Sequence, residues 1–221
     1  NTIATEVAPT SGYDFSEGLN ASSMKQYSEA CDENREPILN VIRREFSGCR
    51  TVLEIGSGTG QHAVYFGRQM PYLTWQPSDI ANNHASINAW RREAGLDNVP
   101  EPLQLDVSRD DWPAMHYDGV FSANTCHIMS WPQVEAMFRG IGAILLPGGI
   151  LCLYGPFNYA NAYTSESNAR FDAFLQARDP ASGIRNFGDL DALAGDNGMK
   201  LVKDHEMPVN NRLLVWSSKR D

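Results

Sequence analysis

The chain has 221 residues, 42% of them hydrophobic and 20% charged, which suits one soluble domain with a sizeable core. The net charge is −9, with 27 acids against 18 Lys and Arg and no basic run, so nucleic acid is excluded as the expected partner. No apolar run approaches the roughly 18 residues of a membrane span, and no membrane contact is expected. The first residues, NTIATEVAPTSGY, lack the basic and apolar regions of a secretory signal. Cys31, Cys49, Cys126 and Cys152 lie far apart and form no C-x-x-C. They read as free thiols in a reducing, cytoplasmic compartment, with no metal site.

Residues 1–22 are rich in Ser, Thr, Gly, Asn and Pro and read as a flexible N-terminal arm, ahead of a single domain over 23–221. From Ser23 to Phe46 the apolar spacing is helical, through Met24, Tyr27, Ile38, Leu39, Ile42 and Phe46. Pro37 is expected to divide this stretch into two helices or to open the second. The polar segment Ser28–Pro37 reads equally as a solvated helix turn or as a flap over a ligand, with Asn34 and Arg35 pointing into the site. Tyr27 is assigned to the substrate side.

Thr51 to His62, TVLEIGSGTGQH, is the stretch with the strongest signal. Val52, Leu53 and Ile55 read as a buried parallel strand that stops at Gly56, Gly58 and Gly60, with a helix after it. Such a turn is expected to lie against a ligand with free N–H groups pointing at it. The dinucleotide fingerprint is G-x-G-x-x-G. Here the third glycine comes one place early, and Gln61 stands where it should be. Glu54, just before the turn, would repel a pyrophosphate and suit a cationic or hydroxyl-rich ligand.

The pattern E-x-G-x-G-x-G resembles motif I of the class I S-adenosylmethionine (SAM) methyltransferases. The resemblance implies a Rossmann-like α/β fold. Its seven-stranded, mostly parallel sheet has helices on both faces and a C-terminal antiparallel hairpin, and SAM lies over the carboxyl ends of the first strands. Ser57 joins Glu54 and the three glycines as a cofactor contact. An ordinary tight turn and a drifted NAD motif are the alternatives at this point.

A second strand over Leu73–Gln76 is followed by Asp79 and Ile80, placed at the cofactor. A carboxylate there can accept from two adjacent ribose hydroxyls. Asp79 also fits as the cap of a helix running from about Asn83 to Ala94 and ended by Gly95. Pro102–Ser108 reads as a third strand ending in Asp106. The methyltransferase pattern implies that this acid receives the adenine amino group and that Val107 packs on the ring.

A fourth strand, Asp118–Ser122, emerges through Asn124 and His127. Asn124 is a candidate for binding the methionine part or the substrate, and His127 for general base. A structural histidine capping a turn is the bland alternative. Trp131 walls a methyl pocket or packs under the next helix, which starts at Ser130 and Pro132 and runs to about Leu146. Pro147-Gly148-Gly149 should end it before a strand over Ile150–Tyr154. The loop from Gly155 to Asn168 holds Phe157, Asn158 and Tyr159, and suggests an acceptor pocket together with Tyr154. Helices over about 169–178 and 189–196 precede a strand pair over about 199–206 and 211–217, with Asn210 and Asn211 at its turn.

The words ENREPIL, LEIGSGTGQHAVYF, LTWQPSD, FSANTCHI, LYGPFN and EMPVNNRLLV together resemble a methyltransferase-like family of unknown function, the one that includes methyltransferase-like protein 26. The likeness spans about residues 23–217 and departs mainly at Cys126, Met129 and the N-terminal arm. It implies a SAM-dependent methyltransferase acting on a small-molecule acceptor as a monomer or homodimer. A lyase or cyclase acting on SAM itself and releasing methylthioadenosine is the runner-up, ahead of a non-catalytic partner protein and an NAD enzyme.

Overall fold

Neighbouring residues along the central strands are buried on opposite faces. Val52 packs with Trp75, Phe121, Cys152 and Val215, while Leu53 packs with Val120, Leu151, Leu153 and Trp216. A sheet buried on both sides needs apolar residues at consecutive positions, which is why β1 reads as a near-continuous run. The computed structural model describes residues 25–109 and 112–219, so the arm expected over 1–22 lies outside the described residues.

Helix α1 (Glu29–Glu45) leads into β1 (Thr51–Ile55), α2 (Gln61–Gln69), β2 (Thr74–Asp79), α3 (His84–Ala94) and β3 (Leu103–Gln104). The second half runs β4 (Tyr117–Ala123), α4 (Trp131–Ile144), β5 (Leu145–Gly155), β6 (Phe157–Asn158) and α5 (Glu166–Arg178). It closes with β7 (Arg185–Asn186), α6 (Phe187–Asp196), β8 (Met199–Glu206) and β9 (Arg212–Ser218). The seven-stranded sheet has the order β3-β2-β1-β4-β5-β9-β8. In this sheet β9 runs against the direction of the other six strands, antiparallel to both β5 and β8. Ile38, Leu39, Val41 and Ile42 of α1 and Ala63 and Phe66 of α2 cover one face, and Val134, Met137, Phe138 and Ile141 of α4 with Leu190 and Ala194 of α6 cover the other. This is the expected α/β architecture with its C-terminal antiparallel pair.

Several boundaries differ from the sequence reading. Pro37 does not divide the first helical stretch, because it lies inside one continuous α1. The four buried apolar residues that follow it, Ile38 to Ile42 without Asn40, hold that helix against the sheet. The segment Ser28–Pro37 is therefore mostly the first half of α1 and not a separate flap. Asp79 belongs to β2 and does not follow it. The third strand is two residues long and stops before Asp106. Asp106 draws in the Ser108 amide (3.1 Å) and hydroxyl (2.6 Å), which turns the chain out of the ladder. Pro147-Gly148-Gly149 lies within β5, not between α4 and the strand. There the pairing with β4 jumps from Tyr117–Leu145 to Gly119–Ile150 and Gly148 takes φ 76°. The short parallel pair β6–β7 has no counterpart in the sequence reading.

Pro37 lacks the N–H that would bond the carbonyl four residues earlier. Replacing it by alanine restores that bond at the cost of a looser unfolded chain. Pro37→Ala should raise the unfolding free energy by about 1–2 kcal/mol in urea titrations. A loss of stability would mean that the ring itself is needed for packing.

Candidate functional site

The carboxyl ends of β1, β2 and β4 meet around the glycine loop, and hydrogen bonds within the protein fix the loop's shape. The amides of Gly56 and Ser57 both donate to the Ser78 carbonyl at 3.0 Å, and Gly60 donates to the Ser57 carbonyl at 2.9 Å. The Gly58 amide donates to Asp79 Oδ2 at 2.7 Å. The expectation of free N–H groups is thus corrected, since all four of these donors are spent inside the loop. Gly56, Gly58 and Gly60 take φ of 74°, 56° and 93°, the left-handed region where a side chain is strained. A Cβ on Gly56 would lie 2.9 Å from the Thr125 side chain, and one on Gly60 would lie 2.7 Å from Ile87 Cα. A Cβ on Gly58 would meet nothing within 4 Å. The loop is walled at both ends and open at its middle.

Glu54 braces this loop from below. It is 2% exposed, and its Oε2 accepts from Ser57 Oγ (2.8 Å) and Trp75 Nε1 (3.1 Å). Burial pushes its carboxyl up to about 7, against the pull of those two donors. The sequence placed this carboxylate at a cationic or hydroxyl-rich ligand; the structure places it under the loop, among core residues. Ser57 Oγ in turn accepts from the Ser78 amide at 3.1 Å.

Asp79 ends β2 with Oδ1 accepting from the Ile80 amide (2.7 Å) and Asn83 Nδ2 (2.9 Å). Ile80 is 46% exposed beside it. Asp106 is half-buried; its Oδ1 is held by Ser108, which keeps its carboxyl below the ordinary range, and Oδ2 has no partner among the described residues. Val107 is buried in the core next to it.

The tips of β4 and β5 carry a second group. Asn124 takes φ 57°, and its amide donates to the Tyr154 carbonyl at 2.9 Å. The Cβ position of Gly155 lies 3.8 Å from Asn124 Oδ1, 3.8 Å from Phe157 Cζ and 3.9 Å from His127 Nδ1. His127 is buried and edge-on to Phe171, and burial, with Arg185 adding to it, lowers its pKa to about 4. It is therefore neutral at pH 7 and poorly matched to general-base work, which favours a pKa near the operating pH. Tyr154 is buried, its OH accepts from Asn211 Nδ2 at 3.0 Å, and burial raises its pKa to about 12. Phe157 is buried in the α4 and α6 core. Trp131 bonds Glu135 and, with Asn158, lines a groove of about 310 Å³ next to β6 and β7.

Three expected contacts are drawn elsewhere. Asn34 Oδ1 is 2.7 Å from His62 Nε2. Arg35 bonds Asp32 and lies over the Tyr65 ring. Tyr27 is exposed with its OH on Asp32, and it is not among the groove residues.

Two residues without an assigned role turn out to organise the region. Gln61 grips the main chain of Ser28, accepting from its amide at 2.6 Å and donating to its carbonyl at 3.2 Å, and so ties the start of α1 to the start of α2. Its position in place of a third fingerprint glycine was the visible signal. Arg185 donates to the carbonyls of Cys126, Met129 and Ala181 and so fixes the loop that carries His127. Nothing local in the sequence marks it, because the two partners in the His127 loop, Cys126 and Met129, lie 59 and 56 residues away.

Solved methyltransferase structures share this fold. An O-methyltransferase family protein from Burkholderia thailandensis matches with a TM-score of 0.75 and 16% identity, over 84% of this chain and 56% of that one. The SAM-dependent methyltransferase SibL matches with a TM-score of 0.72 and 21% identity, over 86% and 56%. Human N-acetylserotonin methyltransferase, solved in complex with SAM, matches with a TM-score of 0.71 and 13% identity, over 86% and 53%. The chain spans about half the length of these proteins. The architecture is thus the class I methyltransferase fold. Within it, this chain belongs to the family described as Protein of unknown function (DUF938), which matches residues 25–218. No described helix is long and apolar enough to cross a membrane.

The folded protein holds a proton on Glu54 that the unfolded chain releases above its ordinary carboxylate pKa. This contribution to stability is full at low pH and is lost as pH rises from the ordinary range through about 7. The lowered pKa values of His62 and His127, both about 4, act in the opposite direction. Glu54→Gln keeps an acceptor for Ser57 and Trp75 and removes the titration. Urea unfolding at pH 5 and pH 8 should show the variant gaining on the wild type by about 1–3 kcal/mol between the two. A parallel pair of curves would place the Glu54 pKa in the ordinary range.

Proposed function

We propose that this chain binds SAM over the carboxyl ends of β1, β2 and β4 and transfers its methyl group to a small-molecule acceptor. The observation that carries the reading is the closed hydrogen bonding of the glycine loop around an open Gly58. A pyrophosphate would find the Gly56, Ser57, Gly58 and Gly60 donors already used, and the Asp79 carboxylate beside them. A nucleoside that brings hydroxyl donors and a positive charge meets neither obstacle.

The residues present fit that group. A carboxylate offers about four acceptor sites, and Asp79 has three donors on them. One ribose hydroxyl can join, and a second would take the place of Asn83. Exposed Ile80 offers an apolar face for the base, and Asp106 Oδ2 an acceptor for its amino group. When bound, the sulfonium supplies a methyl carbon already activated for attack. The chain's own work is to orient the acceptor and exclude water. Asn124, His127 and Phe157 converge at Gly155 to do so, with His127 as a neutral hydrogen-bonding group. A negative chain with no basic run supports a small acceptor over a nucleic acid. The narrower kinship with methyltransferase-like protein 26 rests on the long shared words ENREPIL, LEIGSGTGQHAVYF and FSANTCHI.

Calorimetric titration with SAM tests the assignment, with NADH fluorescence as the control for a dinucleotide. SAM should bind and NADH should not. Asp79→Ala should weaken SAM by about 1–3 kcal/mol, and an unaltered dissociation constant would remove Asp79 from the site. Mass analysis of the adenosyl product separates methyl transfer, which leaves S-adenosylhomocysteine, from cleavage or cyclisation, which releases methylthioadenosine.

A further inference from the structure

The groove beside β6 and β7 holds two side chains whose chemistry packing does not use. Trp131, Asn158, Asn161, Tyr163, Arg185 and Asp189 line it. Asn158 Oδ1 is buried and has no hydrogen-bond partner among the described residues. A buried amide oxygen left unpaired is costly, and a ligand donor would relieve it. Arg185 spends Nε and Nη2 on main-chain carbonyls of Cys126, Met129 and Ala181. Among the described residues its Nη1 has no hydrogen-bond partner and it forms no ion pair, although the buried Asp172 attracts it from further off. Carbonyls satisfy its donors without cancelling its charge.

The groove adjoins the tips of β4 and β5. Asn158 follows Phe157, whose ring reaches the Gly155 position, and Arg185 holds the carbonyl of Cys126, the residue before His127. Its volume of about 310 Å³ lies at the low end for ligand pockets and suits a single ring. Trp131 and the half-exposed Tyr163 offer flat apolar surface beside the charge.

We infer that this groove receives the acceptor, and that the acceptor is a small aromatic compound carrying a carboxylate, with its anion on Arg185 and a hydroxyl or amine donor on Asn158 Oδ1. This rests on the methyl-transfer reading and adds the substrate class to it. A carboxylate matches the planar fork of a guanidinium and would give Arg185 the direct ion pair it lacks among the described residues.

The test titrates the full chain with 4-hydroxybenzoate, phenol and tyramine, each with and without saturating S-adenosylhomocysteine. 4-Hydroxybenzoate should bind at least ten-fold more tightly than either of the others. Arg185→Gln should abolish that preference. Because Arg185 also braces the Cys126–Met129 loop, Asn158→Asp serves as the second variant. It keeps an acceptor for the hydroxyl but adds a negative charge to the groove that takes the anion, and should weaken 4-hydroxybenzoate about ten-fold while sparing tyramine. Equal affinity of the wild type for the three probes, or a preference that survives Asn158→Asp, would overturn the inference. S-adenosylhomocysteine alone reads the cofactor assignment: its binding without an anion preference sinks the groove and leaves the cofactor site standing.

Discussion

The site depends on a hydrogen-bonded lock between the tips of β1 and β2. Ser78 is its centre. Its carbonyl accepts from Gly56 and Ser57, its amide donates to Ser57 Oγ, and its hydroxyl donates to the Glu54 carbonyl at 2.6 Å. With the loop tied down this way, glycine is required at Gly56 and Gly60 by protein neighbours, Thr125 and Ile87, and at Gly58 by conformation alone. The cradle's form is thus set before any ligand arrives, which lowers the ordering cost that binding must meet.

The same lock accounts for what was legible in the sequence. Strand, glycine turn and helix are local, so TVLEIGSGTGQH could be read directly, as could Asp79 at a strand end and Gly95 closing α3 with φ 59°. The role of Glu54 was harder because two signals conflicted. An acid before a glycine turn suggests a ligand contact. Strand alternation puts Glu54 on the face of Val52, beneath the helices, and alternation governs because the chain is still in β1 at that residue. Pro37 was misread for a similar reason, since local propensity gave way to tertiary packing. Arg185 and the β6–β7 pair were not legible at all. They join residues far apart in sequence, and no periodicity encodes such a pairing.

Burial also sets the charge of the region. His62 and His127 are held neutral and Glu54 titrates near neutrality, so the formal charges that face solvent there are few. Asp79 and Asp106 lie on the β2 and β3 side. Arg185 lies on the β4 and β5 side, bonded to the loop that carries His127.

That separation bears on how one sheet edge can serve two ligands of opposite character. Acids along the β2 and β3 tips suit hydroxyls and a cation, and a guanidinium without a direct ion pair among the described residues suits an anion. The crossing point is the Gly155 position, where Asn124 from β4, His127 and Phe157 stand within 4 Å of one empty Cβ. A neutral histidine there is consistent with the arrangement. A charged imidazole at that point would add a second cation beside the sulfonium of the proposed cofactor, whereas a neutral imidazole offers a hydrogen bond and no field to oppose one.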